Sequence, residues 1–330
     1  MAIFSLGGHL LSQNFKQPLP KGWQLIRPPH EVSALILQGD ILWAGGEEGV
    51  YQIRRSDGQV LQKLAAQPEL HSVRALLLDN SGRLWIGHDQ GLSCWDGHKF
   101  TNITTADGLP DNRVLTLESD SAGGIWTGTW GGAVYYRDGI KKILTKNDGL
   151  LADMVNVILS DNAGGLWFGS KIAPQGGLSY YKDGKWQYFS VAQGLPHNNI
   201  STLYQDREGL VWAGGGLLDR GGACILSKEG ELWKIKQVLN EKDVLAGAKV
   251  RSLTQDTPGY YWLGSEYDGV SIYKDGKKLV LNEKSGLANS EVKKVLEDAE
   301  GNIWIGTRDG LNRLSPEAVQ QLYKRLEGMP

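Results

Sequence analysis

The sequence predicts an all-β fold, a seven-bladed β-propeller of four-stranded antiparallel blades, and three observations carry that prediction. A bulky or branched residue precedes Trp, with Gly two positions later, at Trp43, Trp85, Trp126, Trp167, Trp212, Trp262 and Trp304. Their spacings of 42, 41, 41, 45, 50 and 42 residues contain several short strands each, which is the period of a propeller blade. Finally, the last copy lacks a fourth strand while the chain start carries an unpaired one, so the two ends complete one sheet.

Taken in order, residues 1–21 form an N-terminal extension, 22–314 the propeller and 315–330 a C-terminal helix. The extension holds a weakly apolar run over 3–11 that lacks a basic leader and contains Gly7, Gly8 and His9, a poor secretion signal. Gly22-Trp23-Gln24-Leu25-Ile26 matches the fourth-strand segment around Trp186 in kind and position, and is expected to close the last blade. Pairing both chain ends in one sheet removes open edges that would otherwise invite aggregation.

Residues 73–113 illustrate one copy. Runs at 73–78, 84–87, 92–95 and 100–104 alternate with turns, giving a four-stranded meander. Asp-Gly between the third and fourth runs is a strong hairpin signal, because a type I′ turn needs positive φ at both central residues. It recurs at Asp57-Gly58, Asp96-Gly97, Asp138-Gly139, Asp183-Gly184 and Asp275-Gly276, with Glu229-Gly230 as a variant. The Gly-Leu links at Leu109, Leu150, Leu195 and Leu287 are expected to bury their Leu between blades. The Gly following each Trp-x pair is expected where neighbouring sheets crowd together. The seventh copy ends at residue 314. Pro316 then opens a helical pattern over 316–326, with Ser315 as N-cap and Val319, Leu322, Tyr323 and Leu326 as an apolar stripe.

Composition narrows the function classes. Lys and Arg total 35 against 37 Asp and Glu, a net charge of −2, with no basic run suited to nucleic acid or an anionic membrane. No stretch of 18 apolar residues would span a bilayer. Cys94 and Cys224 fall in copies two and five, too far apart in a ring for a disulfide. The six His lack the i, i+4 spacing of a helical zinc site. The Asp-x-x-Gly segments at 79–82 and 161–164 lack the ligand alternation and closing Glu of a calcium loop, so they read as turns. No cofactor, no catalytic residue and no metal ligand is assigned.

The recurring Val-x-x-Leu, Asp-x-x-Gly, apolar-Trp-apolar-Gly and Gly-Leu-Pro-x-Asn elements resemble the two-component regulator propeller repeat, most closely over residues 84–92 and 302–311. That resemblance implies the extracytoplasmic sensing part of a bacterial signalling protein, hence a periplasmic or extracellular location. The weak N-terminal signal leaves the cytoplasm open. The sequence holds no kinase or DNA-binding segment, so a sensor of this kind is expected either to pass its signal to another chain or to be an excised portion of a longer protein.

Scaffold residues recur in every copy, so ligand information is expected in residues that do not. The loops joining second to third strands and those joining blades share one face around the channel mouth. The candidate ligand-binding residues there are His88, Asp89, Asn112, Trp130, Lys171, Asn198, Asp219, Arg220, Glu266, Tyr267 and Arg308. Trp130 and Tyr267 would stack on a sugar or aryl ring, Lys171, Arg220 and Arg308 would supply charge, and Asn112 and Asn198 hydrogen bonds. Copies four and five carry the longest such loops, 170–177 and 215–222, and insertions on one face of a repeat protein tend to mark its binding face. Because loops also meet water, each residue taken singly is more readily explained by solvation, and it is as a group that they are expected to line a site.

The leading expectation is a non-enzymatic ligand-sensing or protein-interaction propeller, its partner an unidentified small molecule, with carbohydrate as one candidate, or a protein. The alternatives are an assembly subunit docking a protein through the variable face or the C-terminal stripe, and an axial, metal-assisted lyase or hydrolase. The repeat also resembles that of streptogramin lyases, which use His and Glu near the axis. The lyase alternative would bring His88 towards Glu266 or Glu291, but a second His in the late blades is missing.

Overall fold

Short apolar runs interrupted every five or six residues by Gly- and Asp-rich turns build strands of four to ten residues. The computed structural model describes residues 18–66, 69–171 and 175–329. Seven separate sheets of four antiparallel strands stand in a ring. The inner strands are Ala34–Gln38, Ala75–Leu78, Val114–Ser119, Val155–Ser160, Ile200–Gln205, Val250–Gln255 and Val292–Glu297, for blades 1 to 7 in order.

The seventh blade closes as the sequence predicts. Trp23–Ile26 pairs antiparallel with Gly310–Leu314, Trp23 opposite Leu314 and Ile26 opposite Leu311. Most of the predicted extension 1–21 lies outside the described residues, as do Ile172, Ala173 and Pro174 of the long loop in blade 4.

Packing follows the repeat closely. Each of the seven hydrophobic clusters holds one of the seven repeat tryptophans and bridges two neighbouring blades: Trp85 of blade 2 packs with Val114 and Leu117 of blade 3, and Trp304 of blade 7 with Val32 and Leu35 of blade 1. The glycine two positions later makes room for the next blade. A Cβ on Gly128 would sit 2.6 Å from the Val155 carbonyl oxygen, and one on Gly169 2.8 Å from Ile200 Cγ2. At the ring junction Gly306 faces Val32 in the same way. Leu109, Leu150, Leu195 and Leu287 are buried after the inter-blade links, as expected.

Two local expectations need correction. Only Asp138-Gly139, Asp183-Gly184 and Asp275-Gly276 have positive φ at both residues. At Asp57-Gly58, Asp96-Gly97 and Glu229-Gly230 the glycine alone does. Asp96 precedes its turn and accepts from the His98 and Lys99 amides, so its side chain closes the loop that a left-handed backbone would otherwise make. The C-terminal helix, Pro316–Glu327, has the expected Ser315 cap. Its stripe, however, is used within the chain: Val319, Tyr323 and Leu326 are buried against blades 6 and 7, and the Tyr323 ring stacks on Tyr260 at 3.8 Å between centroids. That face is not available to dock a partner.

Candidate functional site

At the same point of each repeat, the first residue of the inner strand in blades 3 to 7 and two residues ahead of it in blades 1 and 2, stands Val or Ile followed by a residue that lines the channel. These second residues are Ser33, Arg74, Leu115, Asn156, Ser201, Arg251 and Lys293. The leading residue is buried between blades (Val32, Val73, Val114, Val155, Ile200, Val250, Val292), which fixes the next one at the wall of the ring. The channel encloses about 390 Å³, within the range of small-molecule sites.

Ion pairs link blades 6, 7 and 1 along this rim. Glu266 receives Lys249 and, at 3.1 Å, Arg251; Arg251 also reaches Glu291 at 3.2 Å. Lys293 joins Glu291 at 3.4 Å to Glu31 at 2.9 Å, and Arg308 approaches Glu291 at 3.4 Å. Burial alone would raise the Glu266 carboxyl, but hydrogen bonds from Lys249 and Tyr267 and the charge of Arg251 outweigh it and hold the group below its ordinary value. On blade 2, Arg74 meets Asp89 at 3.2 Å.

The candidate residues divide accordingly. Asp89 forms the separate pair with Arg74 on blade 2, whereas Glu266 and Arg308 join the rim network. Lys171 lines the channel beside it, and its pKa is depressed first by burial and then by the charges of Arg251, Arg74 and Lys249. Trp130 is 42% exposed, with the Arg113 guanidinium 3.8 Å from its ring centroid, so one aromatic face is already covered. Tyr267 is 56% exposed and its hydroxyl donates to Glu266 at 2.9 Å. Asp219 and Arg220 stand exposed at the tip of the long hairpin in blade 5. The amide oxygens of Asn112 and Asn198 accept from the Thr105 and Val191 amides, each at 2.7 Å, closing their inter-blade links.

His88 is buried within blade 2. Its Nδ1 accepts from the Gln90 amide at 3.2 Å, so in the neutral ring Nε2 carries the proton and donates to Ser93 Oγ at 2.8 Å; Ser93 passes its own hydrogen to Asn102 at 2.7 Å. Burial pushes the imidazole down to about 4, consistent with a permanently neutral ring. Neither Glu266 nor Glu291 bonds to it: their partners among the described residues are the cations above and, for Glu266, Tyr267 as well. The His-Glu approach entertained for a lyase is not formed, because the ring is held inside its blade.

The sequence reading missed most of the wall: Arg74, Lys249, Arg251, Lys293, Lys294 and Glu118 were not singled out. A usable signal was present, since these residues, Lys249 apart, sit one, two or four positions after the first apolar residue of the inner strand. Lys249 immediately precedes that residue. Their identities change from copy to copy while the leading Val or Ile hardly does.

Residues 108–131, 194–216 and 286–309 match the family model of the two component regulator propeller, each match running from an inter-blade Gly-Leu link through the Trp strand. These are two-component regulator propeller repeats. No curated protein matches the chain in sequence. Among solved structures, this chain is similar to the extracellular domain of the protein designated hybrid two component system BT3049 from B. thetaiotaomicron, with TM-score 0.77 and 22% identity over 92% of this chain and 42% of that one. The chain thus spans less than half of that relative's length. A catalytically inactive virginiamycin B lyase from Staphylococcus aureus with quinupristin is similar at TM-score 0.67 and 14% identity, covering 89% of this chain and 98% of that one. YCF48 bound to a D1 peptide follows at 0.64 and 14%, covering 90% and 97%. At such identities the likeness establishes the propeller fold. Among the described residues no helix is long and apolar enough to cross a membrane.

Proposed function

We propose that this propeller is a non-enzymatic ligand-sensing module that binds a small molecule at the channel mouth, on the face carrying the variable loops. One observation carries the reading: the seven wall residues after each leading Val or Ile vary in charge, size and hydrogen-bonding capacity around a ring whose scaffold is otherwise constant, and with the rest of the inner strands they line a channel of about 390 Å³. Asp89, Lys171, Glu266, Tyr267, Arg308 and Trp130 contribute to the site, with Asn112, Asn198, Asp219, Arg220 and the buried His88 as its supporting surround. The repeat and the likeness to a sensor's extracellular domain support a signalling role outside the cytoplasm. The neutral, fully engaged His88 supports binding over catalysis.

A thermal-shift and calorimetric screen of neutral and acidic oligosaccharides tests the reading, since a ligand bound only by the folded state raises its melting temperature. Binding that Trp130→Ala weakens at least tenfold is the expected result; no binding by any sugar would overturn it. A second reading, docking of a protein partner, has one observation in its favour. Leu218, 67% exposed with φ of 55°, stands beside exposed Leu217 at the tip of the blade 5 hairpin, an apolar tip held in a backbone conformation that non-glycine residues rarely adopt. A binding partner lost on Leu218→Asp, in a protein indifferent to sugars, would favour it.

A further inference from the structure

We propose that the channel mouth takes its ligand through an acidic group, a carboxylate, sulfate or phosphate ester, seated among Lys171, Arg74 and Arg251; this rests on the mouth being the ligand site. Among the ionisable side chains lining the channel, Arg74, Lys171, Arg251, Lys293 and Lys294 are cations and Glu118 is the acid. The whole chain carries a net charge of −2, so this concentration belongs to the channel and not to the composition.

Three of these cations already have carboxylates in contact: Arg74 has Asp89, Arg251 has Glu266 and Glu291, and Lys293 has Glu31 and Glu291. Lys171 differs. It comes from the second-to-third-strand loop of blade 4 to within electrostatic range of Arg74 on blade 2 and of Arg251 and Lys249 on blade 6, and no carboxylate of the described residues lies at ion-pair distance from its ammonium. Like charges from three blades converge there, with Glu266 as the one opposing charge in range, and an entering anion would relieve the repulsion that remains. Arg74 and Arg251 each offer a guanidinium fork suited to a planar or tetrahedral oxyanion.

Deeper in the channel Lys294 repeats the arrangement. Water reaches it, yet protein surrounds it; Glu118 is its electrostatic partner, and again no carboxylate of the described residues stands at ion-pair distance. The lining is therefore cationic at both levels. Ser201 Oγ, buried without a hydrogen-bond partner in the same wall, adds a donor for a ligand oxygen. Leu115 supplies an apolar flank on the blade 3 side.

Isothermal calorimetry on the full chain, at low and raised salt, with glucuronate, glucose 6-sulfate, glucose 6-phosphate and glucose, tests this and separates the three acidic groups. We expect at least one acidic probe to bind ten times more tightly than glucose, Lys171→Gln to weaken it at least tenfold, and added salt to weaken it in the unaltered protein, a readout that depends on no variant folding. If glucose or neutral oligosaccharides bind as tightly as the acids, or Lys171→Gln changes nothing, the anion proposal is overturned and the mouth stands as the ligand site. Silence from every probe, acidic and neutral, would overturn both.

Discussion

Asp206 shows how one residue holds a whole turn. Its Oδ1 accepts from the Glu208 and Leu210 amides at 3.0 and 2.9 Å, while Oδ2 accepts from the Trp212 indole at 2.8 Å and the Tyr261 hydroxyl at 2.9 Å. Asp79, Asp161, Asp256 and Asp298 do the same with the Trp six positions on, at 2.7–3.1 Å. The spacing Asp-x5-Trp was plain in the sequence, but read as a turn it conceals this carboxylate-indole bond, which couples turn to core. Asp206→Ala strands several buried donors at once and should cost about 2–4 kcal/mol in urea denaturation; a loss below about 0.5 kcal/mol would show that the contacts are incidental.

Glu118 makes the opposite contribution. Burial raises its carboxyl to about 7 from 4.5, against the pull of the Ser160 amide and the charge of Lys294. Because the folded state then holds a proton the unfolded state has released, stability falls as pH rises from about 4.5 to about 7 and stays lower above. Glu118→Gln, which still accepts from Ser160, should therefore gain roughly 1–3 kcal/mol at pH 8 and nothing near pH 4, with Lys294's lost counter-charge trimming the gain. Melting curves at the two pH values check this; an equal shift at both would refute it.

At the scale of the element, the wedge between blades is set by a glycine and a β-branched residue. Gly169 lies against Val157 and Ile200, and the inner strand of blade 5 cannot retreat without opening the channel wall. Gly169→Val should destabilise by about 1–3 kcal/mol or more, as overpacking of a tight core does, whereas Gly164→Ala, in a turn with open space around it but a φ of 78°, should cost about 1 kcal/mol through backbone strain alone. Comparable losses at both sites would mean that the blades are less tightly set than the contacts imply. The inter-blade links are similarly specified: Thr104 and Asp107, Thr145 and Asp148, and Ser190 and Gln193 form reciprocal caps on one 3-10 turn, each ended by a left-handed glycine. The Gly-Leu ends of these links were legible because they recur locally in sequence, whereas the reciprocal caps ahead of them were seen only in the structure.

For the whole molecule, closure depends on four residues contributed from the other end of the chain. Removing residues 1–28 would leave Gly310–Leu314 as a bare edge and uncover the apolar seam between blades 7 and 1 that includes Ile26 and Leu311. Such a truncation should lower the melting temperature by 10 °C or more or give insoluble protein, since several buried side chains at about 1.5–3 kcal/mol each are lost together. A melt within 2 °C of the full chain would refute the closure.

What the sequence determined alone is blade number, strand order, closure by the N-terminal strand and the presence of the C-terminal helix, because each needs only local pattern and a period to be recognised. Only the tertiary structure decided which variable residues meet. Arg74 and Lys171 are 97 positions apart in the chain and Lys171 and Arg251 a further 80, yet ring geometry brings the three to one mouth. Equally, the His88 imidazole, a candidate ligand residue in the sequence, is committed inside its blade, and the helix stripe, which could dock a partner or pack on its own domain, packs within the chain with Tyr323 on Tyr260. Coulomb and hydrogen-bond terms act over a few ångströms of space, and a one-dimensional pattern carries that distance only where the repeat supplies it.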